Sequence, residues 1–268
     1  MTAPDFVPPR AVGWFVKRNK VAFPAASNLE LVGGTPSLVQ AVAPDPAQLT
    51  LVGKVPTIRN EELKTISYNF TSGKPVGMLE DGTDPDLLPH IIVGGNRLIE
   101  RNPGGADNGF FSVALYPEVM GTNTHRSTVT VGSSSSGTNR GVMAVVGGND
   151  GAGGDGVTNC VAFRVRGQGG LPGAIFSKVG GVWTGEVSSD NTLASPNDTI
   201  GLEISEDHGI YTYTGYRNGV PVPGAVWTDA TAKIGVPGRA WGGGFYCLVS
   251  GGGYFPSLGI FQYDGIDL

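Results

Sequence analysis

The chain of 268 residues contains 44 Gly and 19 Pro, and 40% of its residues are hydrophobic. That much Gly and Pro predicts many turns and few helices, and the apolar share is large enough for a buried core. The net charge of −5 is unevenly distributed, because residues 1 to 59 carry +3 and residues 60 to 268 carry −8. An acidic body argues against nucleic-acid binding, which requires a basic surface.

Neither a membrane segment nor a cofactor motif is present in the sequence. No stretch approaches the roughly 18 consecutive apolar residues of a membrane span, and Met1 to Pro24 lacks the apolar core of a signal peptide. His90, His125 and His208 lie far apart, and none has a metal or nucleophile spacing. We therefore predict a protein assembled in a cytoplasm, without membrane insertion, cofactor or metal.

Residues 1 to 59 are predicted to form an N-terminal arm. A repeat of period 20 aligns residues 29–38 with residues 49–58, and each copy has alternating apolar residues, a Gly turn and a Pro. Two copies cannot bury their apolar faces alone, so we expect the arm to mediate assembly. Its candidate contact residues are Trp14, Phe15, Leu29, Leu31, Leu49 and Leu51. The alternative is an N-terminal addition that packs on its own domain.

Residues 60 to 268 show the short, regularly spaced strands of a β-sandwich. Strands are predicted at 65–70, 90–93, 97–100, 110–116, 127–131, 141–146, 160–166, 174–179, 182–187, 199–205, 211–217, 220–227 and 240–249. Asn218-Gly219 predicts a type I′ hairpin turn. Pro221 and Pro223 cannot donate to a ladder, so the strand that contains them should be an edge strand or an irregular one.

Two acidic or glycine-rich stretches invite a calcium interpretation. Met78 to Pro89 contains Asp81, Asp84 and Asp86, but the glycine and terminal Glu of an EF-hand are absent. Gly147 to Gly156 resembles one copy of a calcium-binding nonapeptide that works only in stacked copies. We predict a loop at each stretch and no metal.

Cys160 and Cys247 are the only cysteines, and each lies in an apolar, strand-like run. Such runs favour buried free thiols over a disulfide.

The stretch from Ser189 to Gly253 resembles a known type of domain. Its pattern is Gly-Leu-Glu at 201–203, a Tyr-Thr strand that ends in Arg217-Asn-Gly, Trp227-x-Asp, and Gly-Arg-x-x-Gly-Gly-Gly-Phe at 238–245. This resembles concanavalin A-like (laminin-G-like) domains of minor tail and other virion proteins of actinobacterial phages, over roughly residues 60 to 268. The repeat in the arm is similar to Leu-x-Leu-x-Gly-x-x-Pro segments of the same virion proteins.

The resemblance implies an all-β, concanavalin A-like jelly-roll β-sandwich with a small N-terminal β-repeat arm. It further implies a minor tail protein of the virion that contacts other phage structural proteins and forms a homo-oligomer in the particle. A capsid decoration or head-fibre protein is the alternative in the same setting.

Sandwich lectins stack sugars on exposed aromatic residues, so host-surface glycan is a candidate ligand. Trp183 and Tyr254, which lie near glycines, are predicted to be exposed, and Tyr216 and Asp229 are further candidates. Trp227 and Trp241 are instead predicted to lie in the core.

A glycan-active hydrolase is the alternative from another functional class. Related sandwich hydrolases resemble Glu-x-Asp-x-x-Glu on one strand, with two carboxylates in one groove. Here Ser205 replaces the Asp, and Glu203 and Glu206 would point to opposite faces of a continuous strand. We therefore predict no catalytic residues and no enzyme activity.

Overall fold

The computed structural model describes residues 63–82, 91–93, 96–100, 108–132, 141–148, 157–167, 172–190, 193–250, 253–255 and 258–268. The chain divides into two units, and all described residues belong to the second, Leu63–Leu268. The predicted arm with Trp14, Phe15, Leu29, Leu31, Leu49 and Leu51 lies outside the described residues. Its boundary at residue 59 and its role stay predictions.

Sixteen strands and one short 3-10 helix make up the described elements. The strands are β1 (Thr65–Asn69), β2 (Leu79–Gly82), β3 (Ile91–Val93), β4 (Leu98–Glu100), β5 (Asn108–Leu115), β6 (His125–Val131), β7 (Gly141–Gly148), β8 (Cys160–Arg166), β9 (Ala174–Val179), β10 (Val182–Ser188), β11 (Thr199–Asp207), β12 (Ile210–Arg217), β13 (Val220–Thr228), β14 (Ala240–Ser250), β15 (Gly253–Phe255) and β16 (Ile260–Asp267). The 3-10 helix spans Phe70–Ser72.

The strands form two antiparallel sheets. Sheet I has the order β13-β12-β11-β6-β16-β4-β3, and β1 also pairs with β16. Sheet II has the order β10-β9-β8-β7-β14-β5-β2, and β15 also pairs with β14. The predicted fold class, an all-β concanavalin A-like jelly-roll sandwich, is confirmed. Within the described ranges, no helix is long and apolar enough to span a bilayer.

The main core lies between the sheets and is rich in aromatic residues. Strand alternation sends every second side chain inward, as in β6, where Ser127, Val129 and Val131 are buried and the residues between them are half-buried. The largest of the fully buried side chains include Trp241, Tyr213, Tyr263, Phe70, Phe163 and Phe245. The sandwich is therefore filled mainly by rings and branched aliphatic residues.

Three of these rings pack against glycines on facing strands. A Cβ at Gly215 would lie 2.8 Å from the ring of Phe163, one at Gly243 would lie 2.7 Å from Tyr263, and one at Gly265 would lie 2.8 Å from Trp241. Atoms at these separations overlap, so a side chain at these positions would displace the rings.

Sheet II is buried on both faces along β7 and β8. A second apolar cluster covers its outer face and includes Val113, Leu115, Met143, Val145, Val157, Cys160, Ala162 and Ala240. This explains why β7 is a continuous apolar run and shows no alternation.

The predicted hairpin turn is confirmed, because Asn218 has φ 52° and Gly219 has φ 75°. β13 lies at the edge of sheet I, as its two prolines predict. The predicted loop from Met78 to Pro89 is wrong at its start, where Leu79–Gly82 pairs with β5 as β2. β16 was not predicted, although it pairs with both β6 and β1.

Asp267 joins both ends of the described domain to an internal loop. Its buried carboxylate accepts hydrogen bonds from the backbone N–H of Lys64 at 2.7 Å and of Gly121 and Thr122 at 3.0 Å each. His125 lies fully buried in the same region. Burial lowers the pKa of the His125 imidazole from 6.5 to about 4, against the opposing effect of the Asp267 carboxylate.

We predict that the free energy of unfolding falls as the pH is lowered from 6.5 to 4. In this range the unfolded state protonates His125 while the folded state keeps it neutral, so the unfolded state binds more protons. The shift corresponds to about 3 kcal/mol. Urea unfolding at pH 7.0, 5.5 and 4.5 would measure the fall.

His125→Gln should flatten this part of the pH profile. His208→Gln is the matched control, since its side chain is 92% exposed, and should leave the profile unchanged. Parallel profiles for the wild type and His125→Gln would contradict the assignment.

Candidate functional site

The candidate site is a cleft on the outer face of sheet II, formed by β8, β9 and β10. Val161, Phe163 and Val165 of β8 point into the main core, so the alternate residues Arg164 and Arg166 lie on the outer face. Arg164 is paired in register with Ala174 of β9. Two residues further along β9, Phe176 is paired with Gly185 of β10.

The cleft has a volume of about 330 Å³. Its lining consists of Arg164, Arg166, Pro172, Ala174, Phe176, Gly185, Glu186, Val187 and Ser188. Gly185 leaves one wall open, because a Cβ at this position would meet only the Phe176 ring, at 3.6 Å. The volume lies at the lower end of the roughly 300–1,000 Å³ that is usual for small-molecule sites.

Two arginines supply the positive charge of the cleft. Arg164 is 7% exposed and Arg166 is 5% exposed. The guanidinium of Arg164 lies 4.6 Å from the ring centre of Phe176 and 4.8 Å from that of Tyr246. Burial and the neighbouring charge of Arg166 lower the pKa of Arg164 to about 10, although Tyr246 raises it. Arg164 thus remains a cation at neutral pH.

An aromatic cluster lies beside the arginines. Phe111 of β5 stacks on Trp183 of β10 with ring centres 4.7 Å apart, and its ring is 5.0 Å from Phe176 and 4.9 Å from Tyr246. Four strands separate β5 from β10 in the order of sheet II. Because side chains of two such distant strands meet, the outer face of sheet II must be concave.

Lys178 also lies on this face, but its charge is already paired. Its side chain is 4% exposed and forms an ion pair with Asp81. Asp81 also accepts a hydrogen bond of 3.0 Å from the backbone N–H of Val157. This pair fastens β2 to β9 and neutralises the charge of Lys178.

Glu186 lines the cleft, yet its carboxylate is engaged elsewhere. The oxygen Oε1 accepts hydrogen bonds from the hydroxyl of Ser177 and from the ammonium of Lys233. Ser177 lies in β9 and is fully buried. The negative charge of Glu186 is thus balanced by Lys233.

Of the four predicted glycan residues, the structure describes the side chains of Trp183, Tyr216 and Asp229, and it does not bring these three together. Trp183 is half-buried against Phe111 and is not the exposed platform that was predicted. Tyr216 lies on the outer face of sheet I, with the guanidinium of Arg126 at 4.4 Å from its ring centre. Asp229 is buried and accepts hydrogen bonds from the backbone N–H of Lys233 at 2.7 Å and of Ile234 at 2.8 Å.

Tyr254 belongs to β15, and its side chain lies outside the described residues. Of the two tryptophans predicted in the core, Trp241 is fully buried. Trp227 is half-buried and stacks on Tyr213 with ring centres 5.2 Å apart. The placement of Trp241 agrees with the prediction, whereas Trp227 packs against the core without being fully buried.

Glu203 and Glu206 do not converge on a groove. Glu203 forms an ion pair with Arg126 on sheet I. Glu206 is exposed and accepts a hydrogen bond of 2.5 Å from the backbone N–H of Gly209 in the hairpin turn. Each carboxylate therefore has a structural partner.

Cys160 is a free, buried thiol, as predicted. Burial raises its pKa to about 12, so it stays protonated and unreactive at neutral pH. The side chain of Cys247 lies outside the described residues. Among the side chains that the structure describes, no three of the types His, Cys, Asp and Glu form a group suited to a metal.

Sequence reasoning missed Arg164 and Arg166. A signal was present, because Cys160-Val-Ala-Phe-Arg-Val-Arg places two arginines at alternate positions of an otherwise apolar strand. Such spacing predicts two cations on one face. Only the structure shows that Phe176 and Gly185 complete the cleft around them.

Comparison with known proteins gives structural similarities alone. No family model matches the chain, and no curated protein sequence matches it. The CBM2 module of the evolved Dit of Lactobacillus casei BL23 phage J-1 has a TM-score of 0.45 and 12% identity, over 77% of this chain and 98% of that one. A prokaryotic β-1,3-1,4-glucanase (lichenase) from a mouse hindgut metagenome has a TM-score of 0.45 and 8% identity, over 76% and 98%. Peanut lectin has a TM-score of 0.41 and 11% identity, over 76% and 97%.

We predict that Asp81→Ala lowers the free energy of unfolding by about 2 to 3 kcal/mol, because it leaves Lys178 buried without its counter-charge. In Asp81→Ala/Lys178→Met the buried charge is removed as well, so part of the loss should be recovered. Urea unfolding at pH 7 of both variants and the wild type would measure this. A double variant less stable than Asp81→Ala would contradict the account.

Proposed function

We propose that this chain is a virion structural protein of a bacteriophage whose sandwich binds host-surface glycan through the concave face of sheet II. The observation that carries the glycan proposal is the cleft of about 330 Å³ between Arg164, Phe176 and Gly185. It combines charged donors, an aromatic wall and an open glycine position on a rigid sheet.

Each part of the cleft suits a saccharide. The guanidinium of Arg164 offers N–H donors to sugar oxygens, and the Phe176 ring offers an apolar surface to the C–H face of a sugar. Ser188 adds a polar residue at the rim. A few fixed polar groups on an otherwise apolar wall are typical of small-ligand sites.

The phage assignment rests on the sequence pattern of residues 201–245 and on the repeat in residues 29–58. Both resemble actinobacteriophage virion proteins, and minor tail protein is the role that this resemblance favours. In this role residues 1 to 59 attach the chain to other structural proteins, as one of several copies in the particle. A decoration or head-fibre protein is the alternative.

A glycan-active hydrolase is less well supported. Glu203 forms an ion pair with Arg126, and Glu206 accepts a hydrogen bond from the backbone of a turn. Neither carboxylate lies on the concave face of sheet II. Glu186, which lines the cleft, is neutralised by Lys233. We therefore propose binding without catalysis.

We predict that the full chain binds saccharides on an array of bacterial cell-envelope glycans and that Gly185→Leu weakens binding at least tenfold. The leucine side chain would fill the cleft. Its Cβ would make only ordinary van der Waals contacts, so the substitution should not disturb the strand itself. Thr214→Leu is the control, because Thr214 lies on the outer face of sheet I, where it pairs with Glu203.

Equal loss in Gly185→Leu and Thr214→Leu would contradict the placement of the site. A wild-type chain with an intact thermal unfolding transition that binds no glycan on the array would contradict the glycan proposal itself.

We predict that electron cryo-microscopy of the phage particle places this chain at the tail. The arm should contact a neighbouring structural protein, and removal of residues 1 to 59 should leave a soluble chain that no longer enters particles. Density over the capsid lattice would instead support the decoration protein. A truncated chain that still enters particles would contradict the proposed role of the arm.

A further inference from the structure

The position and burial of Arg164 indicate which class of glycan would bind in the cleft. Arg164 and Arg166 lie two residues apart on β8 and project from the same face. Both side chains are more than nine-tenths buried. The positive charge of Arg166 repels that of Arg164, which adds to the cost of burying the Arg164 guanidinium.

Within the described part of the chain, no carboxylate is paired with Arg164. Its guanidinium contacts the rings of Phe176 and Tyr246, and its buried Nε has no hydrogen-bond partner. Buried charged groups usually have both a counter-charge and a full set of hydrogen bonds. Within the described residues, the Nε donor of Arg164 therefore lacks the partner that its burial demands.

The carboxylates near the cleft do not supply that partner. Glu186 is bound by Ser177 and Lys233, and Asp81 is paired with Lys178. Each of these carboxylates thus already has a cation of its own. Among the carboxylates that the structure describes, none supplies the counter-charge for Arg164, and a ligand could supply it.

The rings of Phe176 and Tyr246 prepare the guanidinium for an oxyanion. Stacking on a ring uses the flat face of a guanidinium and leaves its N–H donors at the edge. A planar fork of N–H groups matches two oxygens of a carboxylate or phosphate. The ring contacts also hold the side chain in place, which reduces the entropy lost when a ligand binds.

We propose that the cleft binds the oxyanion of an acidic glycan, a carboxylate or a phosphate, with Arg164 as the anchoring residue. This inference rests on the proposed glycan-binding function and specifies its ligand class. The sugar ring that carries the anion lies against Phe176, at the open position of Gly185.

The test compares matched acidic and neutral saccharides by isothermal titration calorimetry with the full chain. The probes are oligoglucuronate, the gluco-oligomer of equal length obtained by reducing its carboxyl groups, and oligo(glycerol phosphate). At least one acidic probe should bind ten times or more tighter than the neutral oligomer. The affinity should fall as NaCl is raised from 50 to 500 mM.

Arg164→Gln should weaken binding of the acidic probe at least tenfold and leave binding of the neutral oligomer unchanged. Arg164→Lys keeps the charge but loses the planar fork, so it should restore binding only in part. Arg126→Gln is the control, because Arg126 is a cation on the outer face of sheet I. The melting temperature of each variant shows whether it is folded, and the salt dependence of the wild type tests the proposal even if Arg164→Gln does not fold.

The outcomes separate the two proposals. Preference for oligoglucuronate identifies a carboxylate ligand, and preference for oligo(glycerol phosphate) identifies a phosphate ligand. Equal affinity for the acidic and neutral glucose-type oligomers, without salt dependence or an effect of Arg164→Gln, would overturn the oxyanion inference and leave glycan binding standing. Binding to none of the three probes would overturn the inference, and the glycan array would then decide the broader function independently.

Discussion

The sandwich depends on the close fit of large rings against glycines across its interior. Phe163, Tyr263 and Trp241 each occupy the space that a side chain at Gly215, Gly243 or Gly265 would need. This fit lets the sheets approach closely while each ring is fully buried. Since protein interiors tolerate little overpacking, these glycines fix which face of β12, β14 and β16 turns inward. The same packing therefore also fixes which residues face outward, including those that line the cleft.

The sequence was sufficient for the fold class and for most strands. Three local signals correctly predicted the part of sheet I around β12. They are the alternation of side chains, the Asn218-Gly219 turn and the prolines of β13. The glycine content was interpreted as turns, whereas several glycines lie in strands opposite rings. β16 was missed although it pairs with β6 and β1, since its pairing partners are distant in sequence and no turn marks them.

The candidate site was harder to predict than the fold because it depends on tertiary placement. Trp183 looked exposed beside glycines, yet the curvature of sheet II brings Phe111 onto its ring. Asp229 looked like a ligand residue, yet the backbone amides of Lys233 and Ile234 use its carboxylate. Arg164 was the reverse case. It was not predicted as a site residue, although alternation along β8 places it on the face opposite to that of Phe163.

The two faces of β8 have different roles, and this affects how such a domain could evolve. Val161, Phe163 and Val165 hold the two sheets together, while the residues between them face the concave side. Substitutions at 164 and 166 would change the charge and shape presented to a ligand without entering the packing between the sheets. One scaffold could thus acquire new binding preferences by exchanging a few outward residues, while the mutational load on folding stays small.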